Sequence, residues 1–335
     1  MTTSPYASDA LPGETVDAVV IGGGAAGLNS ALMLARSRRS VVVIDNGSPR
    51  NAPAEAMHGS IVLDGTPPPE ILQRGREQVR QYGGRVVFGE VTSTEPAAPS
   101  TDGDLRFTIT LADGRSVSAR RVLVATGLKD VLPEVPGLGQ HWGHGVVHCP
   151  YCHGWEVRDQ PIGILATGPA SIGHTFLFRQ LTEDLTYFSH GTHLDEATRA
   201  RFAARNIRIV DTPVREVVNN EDGTLVGVRL TGGQVVARRV LAVATRMEAR
   251  AEGLDGLKLP MQDLPDNLGR GIATGMAGTT EVPGVWAAGN ATDLAAQVGA
   301  SAAAGALAGA HINSVLATAD TDAALAAAQG ETPAL

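Results

Sequence analysis

Cysteine is nearly absent. Cys149 and Cys152 are the only two in 335 residues. A secreted disulfide scaffold needs several spaced pairs, so that class is excluded. Lysine is as scarce: Lys129 and Lys258 stand alone among 27 basic residues, the rest being Arg. The formal net charge is −8, which argues against a general nucleic-acid binder or a polybasic membrane binder. Residues 1–14 lack the charged-then-apolar layout of a secretory signal, so export is not expected. A long run of large apolar side chains is missing too. The longest uncharged run, 294–319, is rich in Ala and Gly and holds Gln297, Ser301, His311 and Asn313. It reads as a helix packed closely on something flat, not as a membrane span. The expected location is the cytoplasm, where thiols stay reduced and a lone Cys pair is catalytic or metal-binding.

What is present suits a soluble globular protein of two or three domains. Apolar residues make up 43% and charged residues 19%. Residues 16–21 (VDAVVI) form an apolar run, helical periodicity covers 28–35, and a second apolar run at 41–44 ends in Asp45. This is a strand–turn–helix–strand unit. Its turn reads Gly22-x-Gly24-x-Ala26-Gly27. The first glycine permits the tight turn, the second lets backbone approach a pyrophosphate, and the third lets helix pack on strand. The phosphates then meet free N–H groups at the helix N-terminus. Asp45, 18 residues beyond Gly27, is placed to hydrogen-bond a ribose hydroxyl. The fingerprint alone does not separate FAD from NAD, and a glycine-rich turn in an ordinary α/β protein is the plain alternative.

Two later stretches bear on that choice. Residues 121–127 read RVLVATG, and residues 282–293 read VPGVWAAGNATD. With these the chain resembles the two-dinucleotide-binding flavoproteins, within them the thioredoxin reductase-like group, from about residue 17 to 313. The resemblance implies an α/β fold of two Rossmann-like domains. A split FAD domain would cover 1–129 and 250–335, and an inserted second domain 130–249. It also implies a homodimer. Gly22, Gly24, Ala26, Gly27 and Asp45 would hold FAD, with Ala125, Thr126 and Gly127 bounding its domain. Gly289 and Asn290 would meet the ribityl chain. There the group has Asp, but an amide still donates and accepts. A helix beginning near Gln297-Val298 would point its N-terminus at the flavin, favouring its anionic reduced form. Asn51 and His58 lie in or after the segment that in this group passes near the isoalloxazine.

Residues 148–156 read HCPYCHGWE. Zinc would need a second pair or two well-spaced histidines, and neither is there. Two inert buried thiols are the bland alternative. The two-residue spacing suits a redox pair that closes a small ring. By the resemblance, Cys152 is the flavin-proximal sulfur and Cys149 the interchange sulfur. Where the reductases carry an acid–base Asp after the second cysteine, this chain has His153, an imidazole able to take and return a proton near neutrality. His148 is the second candidate for that role. His141 and His144 read as solvated or lining residues.

The second unit departs from the pattern. Where the group has a second glycine fingerprint for NADPH, this chain reads Ala166-Thr167-Gly168-Pro169-Ala170-Ser171. Pro169 removes a backbone N–H. Where an Arg cluster clamps the 2′-phosphate, it has Ser189-His190-Gly191-Thr192-His193. Residues 241–245 run into Arg246-Met247-Glu248 in place of a glycine-rich end. A flavin, a redox dithiol and no evident NADPH site resemble the FAD-dependent dithiol oxidases of the gliotoxin, holomycin and romidepsin kind. That implies a small-molecule dithiol substrate, oxidised through Cys149, Cys152 and FAD, with electrons passed to O2 as hydrogen peroxide. An NAD(P)H- or ferredoxin-dependent reductase, or a flavin-bound redox sensor, are the competing readings. Hairpin strands are expected over 85–91 and 105–120, with turns at Asp113-Gly114 and Gly232-Gly233.

Overall fold

The computed structural model describes residues 8–98 and 103–330. The two ends of the expected first unit, residues 1–7 and 331–335, lie outside them. Strand β1 (Val16–Ile21) is almost wholly buried. Helix α1 (Ala25–Arg36) follows directly on Gly24 and starts three residues before the expected position. Its first turn is Ala-Ala-Gly, which carries no apolar period to read. Strand β2 (Val41–Asp45) pairs parallel with β1. Helix α2 (Pro68–Gln81) opens on two prolines, tolerated there because first-turn N–H groups have no helical partner. It delivers β3 (Arg85–Phe88) parallel to β2, so the hairpin strand expected over 85–91 is corrected. The hairpins lie further on, in β4 (Val91–Ala97), β5 (Arg106–Leu111) and β6 (Ser116–Val124). Leu111 and Arg115 close the expected turn by a 2.9 Å bond, with Gly114 at φ +84°. β6 is long enough to pair with β5 over Ser116–Ala119 and with β1 from Ala119 to its end at Val124. The strand order is β3-β2-β1-β6-β5-β4.

The chain leaves this sheet through β7 (Leu128–Val131). It then builds β8 (Val146–Val147), α3 (Pro150–His153), β9 (Ile162–Leu165), α4 (Ala170–Phe178), β10 (Leu185–Phe188), α5 (Glu196–Ala204) and β11 (Arg208–Val210). An antiparallel trio follows, β12 (Val214–Asn219), β13 (Leu225–Leu230) and β14 (Val235–Ala237), and then β15 (Val240–Val243). The parallel strands assemble as β11-β10-β9-β15-β8, a second Rossmann-like sheet. Return is by β16 (Arg246–Ala249), which pairs antiparallel with β7, so both crossovers lie side by side. β17 (Met261–Asp263) and β18 (Gly269–Ile272) complete that small sheet. β19 (Val285–Ala287) then joins the last three residues of β6.

Helix α6 (Val298–Gln329) ends the described chain. It is long and apolar enough to cross a membrane. Its buried face, from Ser301 through Gly305 and Gly309 to Leu316, packs on α1. A Cβ at Gly305 would run into the carbonyl of Ala26, and one at Gly309 would come within 2.7 Å of the Ser30 carbonyl. The Ala/Gly run is thus the close-packed helix the sequence predicts.

Candidate active site

One cavity of about 780 Å³ runs from the glycine turn to the cysteine pair. At one end stand Gly22, Gly24, Ala26 and Asp45. Gly22 has φ +108°, and a Cβ there would strike the Ala125 carbonyl. A Cβ on Gly27 would meet the Gly22 carbonyl, and one on Gly289 would come within 2.8 Å of Ala26 Cβ. Gly27 and Gly289 therefore serve close packing and do not line the cavity. Gly24 differs: beyond its own chain neighbours, nothing lies within 4 Å of a Cβ there. It caps α1 without a side-chain hydrogen bond, so first-turn N–H groups face a space kept free of side chains. These features fit a dinucleotide pyrophosphate.

The remaining walls come from far along the chain. Ala125, Thr126 and Gly127 form one side, Thr126 Oγ1 donating 2.6 Å to the Arg250 carbonyl. Gln297 and Val298 line the cavity where α6 begins, with Gln297 as its N-cap. Asn290 also lines it, but its Nδ2 donates to the Asp293 carbonyl at 2.9 Å and the Ala296 carbonyl at 2.8 Å. The amide's donors shape the turn that launches α6, leaving Oδ1 for a ligand. A carboxylate could not make those bonds, which gives Asn at this position a reason. Asn51 lines the cavity; His58 does not. The His58 Nδ1 lies 3.3 Å from Asp64 and its Nε2 3.5 Å from Glu156, a tie between the 58–64 loop and the end of the cysteine motif.

At the other end Cys149 and Cys152 form a disulfide, Cα atoms 5.2 Å apart. Cys149 caps the short helix α3, accepting from the Cys152 N–H at 3.2 Å through its sulfur. Both are half-buried and line the cavity, as do His148 and His153. Burial holds both imidazoles below their ordinary 6.5, hence neutral at pH 7. Their surroundings differ. Both ring nitrogens of His153 are buried without a partner. His148 places Nδ1 3.0 Å from the Val243 carbonyl, and its Nε2 takes no partner among the described residues. His141 turns away to Asn219, 2.8 Å from its Oδ1, and neither it nor His144 lines the cavity.

Several lining residues escaped the sequence reading, among them His174 and Leu177. His174 is 9% exposed, donates Nε2 to the His148 carbonyl, and is pushed down to about 4 by burial. Nothing in its local spacing marks it.

The turn between β9 and α4 is closed on itself. The Thr167 N–H donates 3.0 Å to Ser171 Oγ, and Thr167 Oγ1 donates 2.5 Å to the Ala244 carbonyl. His190 spends Nδ1 on the Val214 N–H at 3.1 Å. The cavity there is about 320 Å³, less than half the volume of the first.

The chain matches the family model described as pyridine nucleotide-disulphide oxidoreductase over residues 16–310. It is 35% identical over 249 residues to the thioredoxin reductase tcpT of Claviceps purpurea (strain 20.1), covering 72% of this chain and 77% of that one. It is 30% identical over 285 residues to the thioredoxin reductase aclD of Aspergillus oryzae (strain ATCC 42149 / RIB 40), covering 82% and 88%. The crystal structure of HlmI superposes with a TM-score of 0.87 at 42% identity, covering 95% and 98%. The thioredoxin reductase-like members are FAD flavoproteins, and the glycine cradle, Asp45 and the open space at Gly24 fit that cofactor. The chain belongs to the pyridine nucleotide-disulphide oxidoreductase family, as a thioredoxin reductase-like FAD enzyme.

Proposed function

We propose that the enzyme is a dithiol oxidase that closes a disulfide in a small-molecule dithiol. The observation that carries this reading is a contrast between its two nucleotide turns. The first is open, with Gly24 facing free space, while the second has its Thr167 N–H taken by Ser171. An N–H so committed is not free for a phosphate, and Pro169 has none to offer. Electrons then enter through the cysteine pair.

A substrate thiolate attacks Cys149 Sγ. The Cys149–Cys152 bond breaks and Cys152 leaves as a thiolate. The second substrate thiol attacks the substrate sulfur of the mixed disulfide, expelling Cys149 and closing the product ring. Two protons and two electrons now rest on the enzyme pair. Bound FAD supplies the two-electron acceptor that re-forms the disulfide, and O2 takes the electrons on as hydrogen peroxide. The protein's share is proton management. His153, neutral and without a partner in the disulfide state, gains one once Cys152 carries a proton to share. The cavity's aliphatic and aromatic lining, with Met57, Trp142 and Leu177, suits a compact apolar substrate.

The relatives' names favour a second reading, an NAD(P)H-dependent reductase. Anaerobic titration of the yellow protein separates the two. Dithiothreitol is expected to bleach the flavin's visible band, and NADPH and NADH are not. On admitting air the band returns with one hydrogen peroxide per flavin reduced. Complete bleaching by submillimolar NADPH within seconds would overturn the oxidase reading.

A further inference from the structure

A buried polar chain connects Arg50, in the loop after β2, to His148 beside the disulfide. Arg50 grips Asp130 on β7 with two bonds, Nε to Oδ2 and Nη2 to Oδ1, each 2.7 Å. Thr245, just past β15, brings Oγ1 within 2.6 Å of Asp130 Oδ1. The same Oγ1 lies 3.4 Å from His148 Nδ1. The Asp130 side chain is 5% exposed and that of Arg50 29%. Burial works against the Asp130 charge, but Arg50 and the Thr245 hydroxyl outweigh it and hold the carboxyl below its ordinary range. An ionised carboxylate only accepts, so the Thr245 hydroxyl donates to Asp130. Its lone pair is then left toward His148 Nδ1.

This settles where the imidazole proton sits. Nδ1 faces two acceptors, the Val243 carbonyl at 3.0 Å and the Thr245 oxygen at 3.4 Å. The Thr245 N–H, also at 3.4 Å, is a weaker competitor. Nδ1 therefore carries the hydrogen, and Nε2 is an unprotonated acceptor in a ring that lines the cavity. Behind the ring, His174 holds the His148 carbonyl, and its own ring abuts Phe178 edge-on at 4.8 Å. The charged and titratable groups around His148 are Arg50, Asp130 on β7, His174 on α4, and His153 with the cysteine pair on α3. Arg50 disfavours the imidazolium and Asp130 favours it.

We propose that Thr245 and Asp130 are positioning residues for thiol–disulfide exchange at Cys149. They fix the Nδ1–H form of His148, leave Nε2 to take a thiol proton, and set a negative charge behind the imidazolium so formed. A proton moves from the thiol to Nε2, and the Thr245 hydroxyl, bonded to Asp130, steadies the Nδ1–H. This deepens the dithiol reading above and rests on it, since it assigns the base for the Cys149 step.

Two measurements test it. One is the pH profile of iodoacetamide alkylation of the reduced protein, which reads thiol ionisation without flavin turnover. The other is rapid-mixing reduction of the flavin by dithiothreitol. Thr245→Val keeps the side chain's shape and removes the hydroxyl. It should slow alkylation at neutral pH by roughly fivefold or more and move the profile toward higher pH, with FAD content and melting temperature unchanged. Thr245→Ser should restore the wild-type profile. Asp130→Asn should match or exceed the Thr245→Val shift; if it does not fold, the Thr245 pair still decides. A Thr245→Val profile that superposes on wild type, or a Thr245→Ser profile that stays with Thr245→Val, overturns the inference. Failure of dithiothreitol to bleach wild-type flavin would instead remove the oxidase reading, and the alkylation profiles would still report on the relay.

Discussion

His148 and His153 flank one disulfide, yet their rings are set for different work. His148 has an anchored Nδ1, while both His153 nitrogens are buried and unpartnered. A buried polar group without a partner costs about 1–3 kcal/mol and is kept where it serves a purpose. In the proposed cycle, reduction of the pair would supply the missing partner. His153→Ala should therefore keep FAD but slow reduction by a dithiol at least roughly tenfold at pH 7, the cautious end of general acid–base catalysis. The sign with pH follows from burial, which holds this ring below its ordinary value. The wild-type rate should persist down to a pH below 6.5 and fall as His153 protonates. In the variant the rate should climb toward a free thiol's pKa of about 8.5, so the deficit shrinks in alkali. Stopped-flow traces at several pH values check both limbs; a constant ratio across pH would reduce His153 to packing. His148, Cys149, Cys152 and His153 are legible because they fall within six consecutive positions. Asp130, His174 and Thr245 are not. Thr245 meets His148 across 97 positions and Asp130 across 115, and no local pattern records such pairs.

At the scale of elements, three kinds of glycine appear in one α-helical layer, and the sequence motif does not tell them apart. Gly24 guards ligand space, Gly27 packs the turn on itself, and Gly305 lets α6 close on α1. Gly24→Val places a Cβ that has nothing beyond its chain neighbours within 4 Å and sits at φ −80°, which a side chain accepts. It should fold with near-native melting temperature and purify colourless, because its side chain occupies the pyrophosphate position. Gly305→Val must push apart α1 and α6, starting at the Ala26 carbonyl. It should lower the melting temperature sharply, consistent with an overpacking cost of about 1–3 kcal/mol or more. Flavin content and thermal denaturation of the two proteins check the contrast. The glycine fingerprint was readable because strand, turn and helix are contiguous. The hairpin expected over 85–91 failed because an apolar pair, Val86-Val87, fits a parallel strand as well as an antiparallel one, and only pairing with β2 decides.

Across the whole molecule, acid should strain the two Rossmann-like units in different pH windows. The second unit and its crossover hold four imidazoles kept below 6.5 by burial: His148, His153, His190 and His174, the last pushed down to about 4. For such a group the unfolded chain binds the proton first. Its stabilising contribution is whole above the unfolded value near 6.5 and is lost as pH falls toward the folded value. The first unit depends instead on carboxylates. Asp104 accepts from Arg120 at 2.5 Å and Arg121 at 2.9 Å, and Arg120 also reaches Asp17 at 2.9 Å and Asp320 on α6 at 2.6 Å. Burial alone would raise Asp104 and Asp320, but their arginine partners prevail and hold both below 3.8. That contribution is present above 3.8 and disappears as pH drops through the lowered values. Calorimetric melting temperature against pH should thus fall in two stages, the first between about 6.5 and 4 and the second below 3.8. His174→Gln cannot titrate and should flatten the first stage while leaving the second. Asp320→Asn, which unties α6 from Arg39 and Arg120, should do the reverse. A wild-type curve level from pH 7 to 4 would show that the buried imidazoles exert no such control, and a first stage that survives His174→Gln intact would move its origin away from that ring.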